Sequence, residues 1–267
     1  DMAFGYRNFE HEVDFLLFAH QRYSGTTRNP TSVLELAAGP ARHSLESLMV
    51  SGTPIKKVVA LDSSLEMVEY GLENADHELD YDSRTRFQYL QGDMRDHKFE
   101  TKFDAAWILL GSMQHMISNK DAIACFRTVH AALNEKGTLT IELPHPRETF
   151  SMVECTRNGW EVPLEDEDGN EQGQLEIVWG DDDDHFDAIR QVRDFTVKME
   201  LKGAQNVEGI QSVKEIVPMR QFTAQEIDAL ATCSGFEVVA MYGALDQEVE
   251  ISNSDEAYRL VCVLRKI

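Results

Sequence analysis

The chain has 267 residues, of which 42% are hydrophobic and 9% aromatic, enough to build a buried core. Its 25 Lys and Arg residues stand against 47 Asp and Glu residues, which gives a formal net charge of −22. A surface this acidic repels phosphate backbones, so we expect no nucleic-acid partner. No apolar run approaches the roughly 20 residues that span a bilayer, and no signal-like segment opens the chain, so we expect no membrane partner.

The cysteine pattern bears on the compartment and on metal binding. The four cysteines form no Cys-x-x-Cys pair and lie about thirty or more residues apart: Cys125, Cys155, Cys233 and Cys262. This spacing favours buried, reduced thiols in a cytoplasmic protein over a disulfide framework or a zinc site. The acidic run at 166–170 superficially resembles a calcium loop, but its glycine stands at the fourth place rather than the sixth. We therefore predict no metal site.

The first predicted element is an amphipathic helix over residues 9–23, where apolar residues recur at helical spacing. Short apolar runs next predict five strands separated by helical segments, at 32–36, 57–62, 87–90, 103–110 and 137–143. Such alternation is typical of a parallel sheet with helices on both faces. Ligands bind these sheets at the carboxyl ends of the strands, near the point where the strand order reverses.

The pattern changes beyond residue 145. Residues 161–187 hold twelve acidic side chains and no Lys or Arg, which is typical of a solvated loop. The ranges 188–202 and 208–222 then alternate between apolar and polar residues like half-buried antiparallel strands. We predict an inserted antiparallel layer that covers part of the sheet's ligand edge.

The last part of the chain returns to the core pattern. Thr223 followed by Glu226 predicts a capping box at the start of a final helix, and 236–242 and 258–264 predict two closing strands. We therefore predict an α/β fold, a doubly wound, mostly parallel seven-stranded Rossmann-like sheet with an inserted antiparallel β layer. Its predicted segments are a ligand-binding core at 1–145, the inserted layer at 146–222 and the closing elements at 223–267.

The turn after the first strand carries the first chemical signal. Its residues 35–41 are mostly small, which lets a ligand approach the backbone and the amides of the next helix. A pyrophosphate-binding turn usually has three glycines, but only Gly39 is present, with Ala37 and Ala41 at the other two places. Glu35 would repel a pyrophosphate, yet a carboxylate suits an ammonium or sulfonium group.

Two further strands end on acids. Asp62, at the end of the second strand, is placed to accept hydrogen bonds from both hydroxyls of a ribose. Asp93, after the third strand, is placed to accept from an exocyclic amine, and Met94 to lie on an aromatic ring. Three acids at three successive strand ends predict one ligand site at that edge of the sheet.

Over roughly residues 30–145, the runs VLELAAGPARHS, VVALDSSLEMVEYG, FQYLQGDMRD, FDAAWILLGSMQHM and LNEKGTLTIELP resemble the class I S-adenosylmethionine-dependent methyltransferases. The resemblance implies methyl transfer as the activity and S-adenosyl-L-methionine as the cofactor. The cofactor-binding residues it implies are Glu35, Ala37 and Gly39 near the methionine part, Asp62, Ser63 and Met67 near the ribose, Asp93 and Met94 near the adenine, and Leu109 and Leu110 after the fourth strand. Arg42 is a further candidate, as a partner of the cofactor carboxylate, and a solvated helix residue is its alternative role. Ala37 and Ala41 replace the family's usual glycines, which the turn tolerates where the local dihedrals are not left-handed.

Methyl transfer from a sulfonium is an in-line displacement, so the enzyme mainly aligns the nucleophile and excludes water. A base is needed only when the nucleophile carries a proton to lose. The candidate catalytic residues are His115, shortly after the fourth strand, and His145, just past the fifth; a structural histidine is the alternative at both places. We expect a small-molecule methyl acceptor, because the inserted layer at 146–222 would restrict entry. Its alternative role is an interface in a homo-oligomer.

Two other functions stay open from the sequence. One is a nicotinamide-dependent oxidoreductase on a related sheet, which Glu35 and the missing glycines disfavour. The other is a binding or regulatory protein of the same fold that does not catalyse, which Ala37 and Ala41 keep open. The acceptor and its methylated atom are not readable from the residues.

Overall fold

The computed structural model describes residues 5–147, 158–165, 171–203 and 212–267. It divides the chain into two compact units, a larger one of Asn8–Pro146 and Phe222–Ile267 and a smaller one of Asp1–Arg7 and Arg147–Gln221. Cys155 and the calcium-like run at 166–170 lie outside the described residues. In the described part of the chain, no helix is long and apolar enough to cross a membrane.

The larger unit alternates strands and helices, as the sequence predicts. In chain order its elements are α1 (Phe9–Tyr23), β1 (Ser32–Leu36), α2 (Arg42–Met49), β2 (Lys57–Asp62), α3 (Leu65–Glu78), α4 (Tyr81–Arg84), β3 (Phe87–Gln91), β4 (Phe103–Ile108), a short 3-10 helix (Ser112–His115), α5 (Asn119–Ala132), β5 (Leu133–Pro144), α6 (Ala224–Thr232), β11 (Phe236–Tyr242) and β12 (Arg259–Lys266). The capping box predicted for α6 is confirmed, because the Thr223 side chain accepts from the Glu226 amide and Glu226 caps Thr223 in return.

The larger unit is built on a seven-stranded sheet with the strand order β11-β12-β5-β4-β1-β2-β3. Strands β1 to β5 run parallel to one another, whereas β12 runs antiparallel to its two neighbours, β11 and β5. The strand order reverses between β1 and β4, so the carboxyl ends of these two strands mark the expected ligand position. The predicted fold class is confirmed.

The central strands are apolar along their whole length because helices cover both faces of the sheet. Val33, Leu34 and Leu36 of β1 are fully buried, and so is Trp107 of β4. One apolar cluster contains Leu34 and Phe126 of α5, while the other contains Val33 and Leu16 of α1. Neighbouring residues of one strand thus pack into opposite faces, which is the burial pattern of a parallel sheet.

Two predicted boundaries need correction. The fourth strand ends at Ile108 rather than Leu110, because the backbone turns left-handed at Leu110 (φ 55°) and Gly111 (φ 76°). Cys233 was predicted to be a core thiol but is exposed, since it follows the last residue of α6. Cys125 and Cys262 are buried, and burial raises the pKa of each thiol to about 12.

The smaller unit is an antiparallel sheet of β6 (Asn158–Glu165), β7 (Glu171–Trp179), β8 (Phe186–Asp187), β9 (Val192–Lys202) and β10 (Ser212–Arg220). Its order is β10-β9-β7-β6, with β8 paired to β9. The acidic range 161–187, predicted to be a solvated loop, therefore contains most of β6 and all of β7. The reason is period-two alternation: Leu175 and Ile177 are buried, while Glu176 between them faces Glu161 across the strand pair.

Candidate functional site

The turn between β1 and α2 lies at the switch point of the sheet. Ala37 (φ 52°), Gly39 (φ 52°) and Ala41 (φ 59°) all have left-handed backbones. For an L-residue this conformation costs roughly 1–2 kcal/mol, so both alanines hold the glycine-like turn under strain. A side chain added at Gly39 would meet no atom within 4 Å. The backbone at Gly39 is therefore open to an approaching ligand.

Asp62 connects the ends of β1 and β2. Its Oδ2 accepts a hydrogen bond from the Gly39 amide at 2.8 Å, and its Oδ1 accepts from the Ser64 amide at 2.9 Å. A carboxylate oxygen has two acceptor sites, so each oxygen retains one for a ligand hydroxyl. The carboxylate thus lies beside the open turn, with its orientation fixed by two backbone amides.

Glu35 differs from Asp62, because its side chain is only 3% exposed. Its Oε2 accepts from the Ser44 amide (3.0 Å) and hydroxyl (2.5 Å), and its Oε1 lies 3.7 Å from Nδ1 of His43. Burial raises the pKa of the Glu35 carboxyl, while His43 and Ser44 lower it. The carboxylate fixes α2 against β1, and its place beside the methionine part of a cofactor stays a prediction.

The residues after β3 pair with a neighbour that the sequence analysis did not single out. Arg95 donates from Nε to both carboxylate oxygens of Asp93 at 2.9 Å, and this pairing lowers the pKa of the Asp93 carboxyl. Met94 is buried in the core, whereas Met67 is exposed. Met67 therefore offers an apolar surface for a flat ring near the carboxyl ends of the strands. The Asp93 carboxylate, in contrast, is already paired with the Arg95 guanidinium.

Two more predicted cofactor residues lie on the same edge. Ser63 is exposed, and its carbonyl accepts from Gln91. Arg42 donates to Glu78 at 2.5 Å and lies over the ring of Phe9. An ion pair between Arg42 and a cofactor carboxylate would have to compete with Glu78, and it stays a prediction.

Beyond β4 the chain makes a left-handed turn. Leu109 is buried, whereas Leu110 is exposed. The Leu110 amide donates at 2.9 Å to Oε2 of Glu142, a buried carboxylate on β5. Arg259 on β12 lies within ion-pair distance of the other oxygen of Glu142, at 3.3 Å. Glu142 therefore fixes the backbone that follows β4.

The two candidate catalytic histidines have different surroundings. His115 ends the 3-10 helix and is exposed at the edge that carries Asp62. Partial desolvation lowers the pKa of His115, and the Asp62 carboxylate opposes this shift. His145 is buried and donates from Nε2 to the carbonyl of Ser252 at 2.9 Å. This is the arrangement of a structural histidine, so the catalytic assignment favours His115 and stays a prediction for both.

The edge assembled by the ends of β1, β2 and β4 suits a neutral or cationic ligand with hydroxyl groups. It combines the Asp62 carboxylate, the open backbone at Gly39 and the exposed side chains of Met67 and Leu110. These are acceptor and apolar groups of the kind that a ribose and a flat ring require, so the residues present fit S-adenosylmethionine. In the described part of the chain, no three His, Cys, Asp or Glu side chains are close enough to hold a metal ion.

Part of the chain matches a known family model. Residues 33–137, from β1 into β5, match the family model of a methyltransferase domain. No curated protein matches the chain significantly in sequence.

Solved structures match almost the whole chain. An S-adenosylmethionine-dependent methyltransferase from Clostridium acetobutylicum shares 13% identity with a TM-score of 0.74, over 98% of this chain and 93% of that one. CalS10, an amino pentose methyltransferase from Micromonospora echinaspora solved with S-adenosylmethionine bound, shares 16% with a TM-score of 0.70, over 98% and 93%. KedS8, a sugar N-methyltransferase from Streptoalloteichus, shares 16% with a TM-score of 0.70, over 97% and 88%.

At these identities the structural likeness establishes the fold. The chain therefore has the fold of the class I S-adenosylmethionine-dependent methyltransferases, as its sequence resemblance implied, and its residues 33–137 match the model of a methyltransferase domain.

Proposed function

We propose that the protein binds S-adenosylmethionine and transfers its methyl group to an amine of a small, sugar-like acceptor. The observation that carries the cofactor part is the Asp62 carboxylate, held by the Gly39 and Ser64 amides at the switch point of a matched methyltransferase domain. The acceptor part is supported by the likeness to solved structures of an amino pentose methyltransferase, a sugar N-methyltransferase and a glycopeptide N-methyltransferase.

The proposed roles follow from where each residue lies. The Asp62 carboxylate accepts hydrogen bonds from the ribose hydroxyls, and the turn at Gly39 leaves room for the methionine part. The backbone at Leu110 lies beside that methionine part. Met67 lies beside the flat ring of the adenine. Bound S-adenosylmethionine would supply a methyl group on a sulfonium, which is already a good leaving group. The residues of the chain then have to orient the acceptor and exclude water.

His115 is the proposed acceptor-side residue. An amine is a nucleophile only when its nitrogen is unprotonated, so a neutral base near the acceptor favours the reactive form. Desolvation lowers the pKa of His115, which keeps its imidazole neutral near pH 7 and able to take a proton from an ammonium group. In this role His115 moves a proton and forms no covalent bond to the acceptor.

Calorimetry tests the cofactor part. We expect binding of S-adenosylmethionine and S-adenosylhomocysteine and no binding of NAD. Asp62→Ala should weaken binding at least tenfold, because each lost hydrogen bond to a charged group is worth roughly 1.5–3 kcal/mol. Asp76→Ala is the matched control, since Asp76 is an exposed acid of α3 that pairs with Arg84. Equal affinity of both variants and the wild type would overturn the assignment of Asp62.

Mass spectrometry of a panel of amino sugars and their hydroxyl analogues tests the acceptor part. We expect a mass increase of one methyl group on amino sugars only, and a loss of turnover in His115→Ala with cofactor affinity kept. Cofactor binding without transfer to any amine or hydroxyl acceptor would instead support the non-catalytic binding protein. NAD binding would support the oxidoreductase.

A further inference from the structure

The smaller unit contains an arginine in unusual surroundings. Arg193, near the start of β9, is only 2% exposed. It faces Phe186 of β8 and Met219 of β10 in the strand register. Its guanidinium carbon lies 5.0 Å from the ring centroid of Phe186 and 6.0 Å from that of Phe195. A charged group thus lies between two aromatic rings inside a β-sheet unit.

Two of the three guanidinium nitrogens lack acceptors. Nε and Nη2 are buried and have no hydrogen-bond partner in the described part of the chain. A second buried donor in the same state is Nε2 of Gln221, a residue that is 5% exposed.

These donors lie on one face of the sheet. The Gln221 amide donates to the Gln191 carbonyl at 2.7 Å, which continues the β9–β10 ladder one step beyond Arg220. Residues two apart on a strand share a face, so Gln221 lies on the face of Met219, which is also the face of Arg193.

The energetics of this arrangement point to a ligand. A buried charge with unmet donors is costly. Two cation–π contacts offset only part of this cost, because they use the face of the guanidinium rather than its N–H groups. Native proteins satisfy most buried donors, so several unmet donors on one face require an explanation. An oxyanion would satisfy them, because it is acceptor-only and matches the planar fork of arginine.

We propose that Arg193 and Gln221 form an oxyanion-binding site of the smaller unit, which binds a carboxylate or phosphate group. This site is argued from the smaller unit alone and does not rest on the proposed function. The chain has a net charge of −22, so general electrostatic attraction of anions is excluded and a specific donor set is needed. The donors are buried, which strengthens their interaction with a bound anion. The covering side chains must rotate away to admit the anion.

The test is a thermal-shift titration of the full chain with inorganic phosphate, pyrophosphate and lactate, at an ionic strength held constant with sodium chloride. We expect at least one of these anions to raise the melting temperature of the wild type and to leave Arg193→Met unshifted. Arg190→Met is the matched control, because Arg190 is exposed three residues earlier and should keep the wild-type shift. The three anions separate the two ligand classes. A response to phosphate and pyrophosphate alone indicates a phosphorylated ligand, and a response to lactate alone indicates a carboxylate.

The variant's own stability separates a binding arginine from a structural one. Without added anion, Arg193→Met should melt at or above the wild-type temperature, because it removes an uncompensated buried charge at nearly equal volume. Arg193→Lys keeps the charge but loses the fork, so its anion affinity should fall at least tenfold. A wild type that responds to none of the three anions, or an Arg193→Met that keeps the response, overturns the proposal. Cofactor calorimetry on the same variants should be unchanged, so a failure of S-adenosylmethionine binding is seen separately.

Discussion

Nε2 of His43 donates a hydrogen bond to Oε2 of Glu12 at 2.7 Å, and this contact joins α2 to α1 inside the core. The imidazole is 2% exposed, and the ring of Phe9 meets it edge-on at 5.0 Å. On its other side, Nδ1 lies 3.7 Å from the Glu35 carboxylate. One histidine therefore links the N-terminal helix to the strand that leads into the cofactor turn.

Replacing His43 should destabilise the fold strongly. His43→Ala removes the donor to buried Glu12 and the imidazole beside buried Glu35, so we expect the free energy of unfolding to fall by about 3–5 kcal/mol. Urea denaturation measures this change. His11→Ala is the control, since His11 pairs with Asp246 at the surface and an exposed pair is worth about 0–1 kcal/mol. Similar losses in the two variants would show that burial of the His43 network contributes little.

His20 should make the protein less stable in acid. It is buried, with Nδ1 2.8 Å from the Thr138 hydroxyl, and burial lowers its pKa to about 4 although Asp104 opposes the shift. In the unfolded chain His20 therefore binds a proton as the pH falls through 6.5, whereas in the folded chain it stays neutral until about pH 4. The contribution of His20 is complete above pH 6.5 and is lost as the pH falls towards 4, with a total of about 3 kcal/mol.

The check on this prediction is the free energy of unfolding of wild type and His20→Gln at several pH values. The difference between the two proteins should narrow steadily from pH 7 to pH 4, because only the wild type has the titrating group. His77→Gln, a substitution of an exposed histidine, should follow the wild type throughout. A pH-independent difference for His20→Gln would contradict a lowered pKa.

The strained turn predicts opposite effects for two adjacent substitutions. Ala37→Gly relieves a left-handed backbone worth roughly 1–2 kcal/mol, while the greater freedom of glycine in the unfolded chain costs about 0.4–1 kcal/mol. We expect a net gain of up to about 1 kcal/mol. Ala38→Gly should lose about 1 kcal/mol, because Ala38 is not left-handed and its methyl group is buried. Thermal unfolding measures the stability of both variants. If Ala37→Gly loses as much stability as Ala38→Gly, the backbone at Ala37 is not strained.

The strands and the acids at their carboxyl ends were predictable because both follow local rules. Val33, Leu34 and Leu36 form an apolar run that ends at a turn of small residues, and Asp62 ends the next apolar run. The apolar runs and the turn residues that follow them therefore predict where each strand ends. The prediction of a loop over the acidic range 161–187 was wrong, because it relied on the number of acidic residues and not on the alternation of apolar and polar positions. Leu175 and Ile177 are only two apolar positions among many acids.

The long-range pairs could not be predicted. Glu12 lies 31 residues before His43, and Glu142 lies 32 residues after Leu110, so only the folded sheet brings each pair together. The left-handed dihedrals of Ala37 and Ala41 were also beyond the sequence, since alanine is rarely found there. Arg193 gave no signal either, because an arginine on an acidic sheet is ordinarily a surface residue.

The last prediction concerns Glu142, which holds the turn after β4. Its Oε2 accepts from the Leu110 amide at 2.9 Å, and its own carbonyl accepts from the Gly111 amide at 3.1 Å. The carboxylate thus supports a left-handed leucine whose backbone is proposed to lie beside the methionine part of the cofactor. We expect Glu142→Ala to lower kcat/KM for methyl transfer about ten- to a hundredfold, which corresponds to one lost hydrogen bond to a charged group.

Glu142→Gln separates the hydrogen bond from the charge. Glutamine still accepts from Leu110 through its carbonyl oxygen but cannot pair with Arg259, so its kcat/KM should lie between those of the wild type and Glu142→Ala. Glu237→Ala is the matched control and should leave kcat/KM unchanged. Glu237 is an exposed residue of β11 that pairs with Arg265 of β12. Melting temperatures measured on the same samples account for lost stability. If Glu142→Ala and Glu142→Gln lose stability but keep wild-type kcat/KM at a temperature where both are folded, Glu142 supports the fold and does not position the turn for transfer.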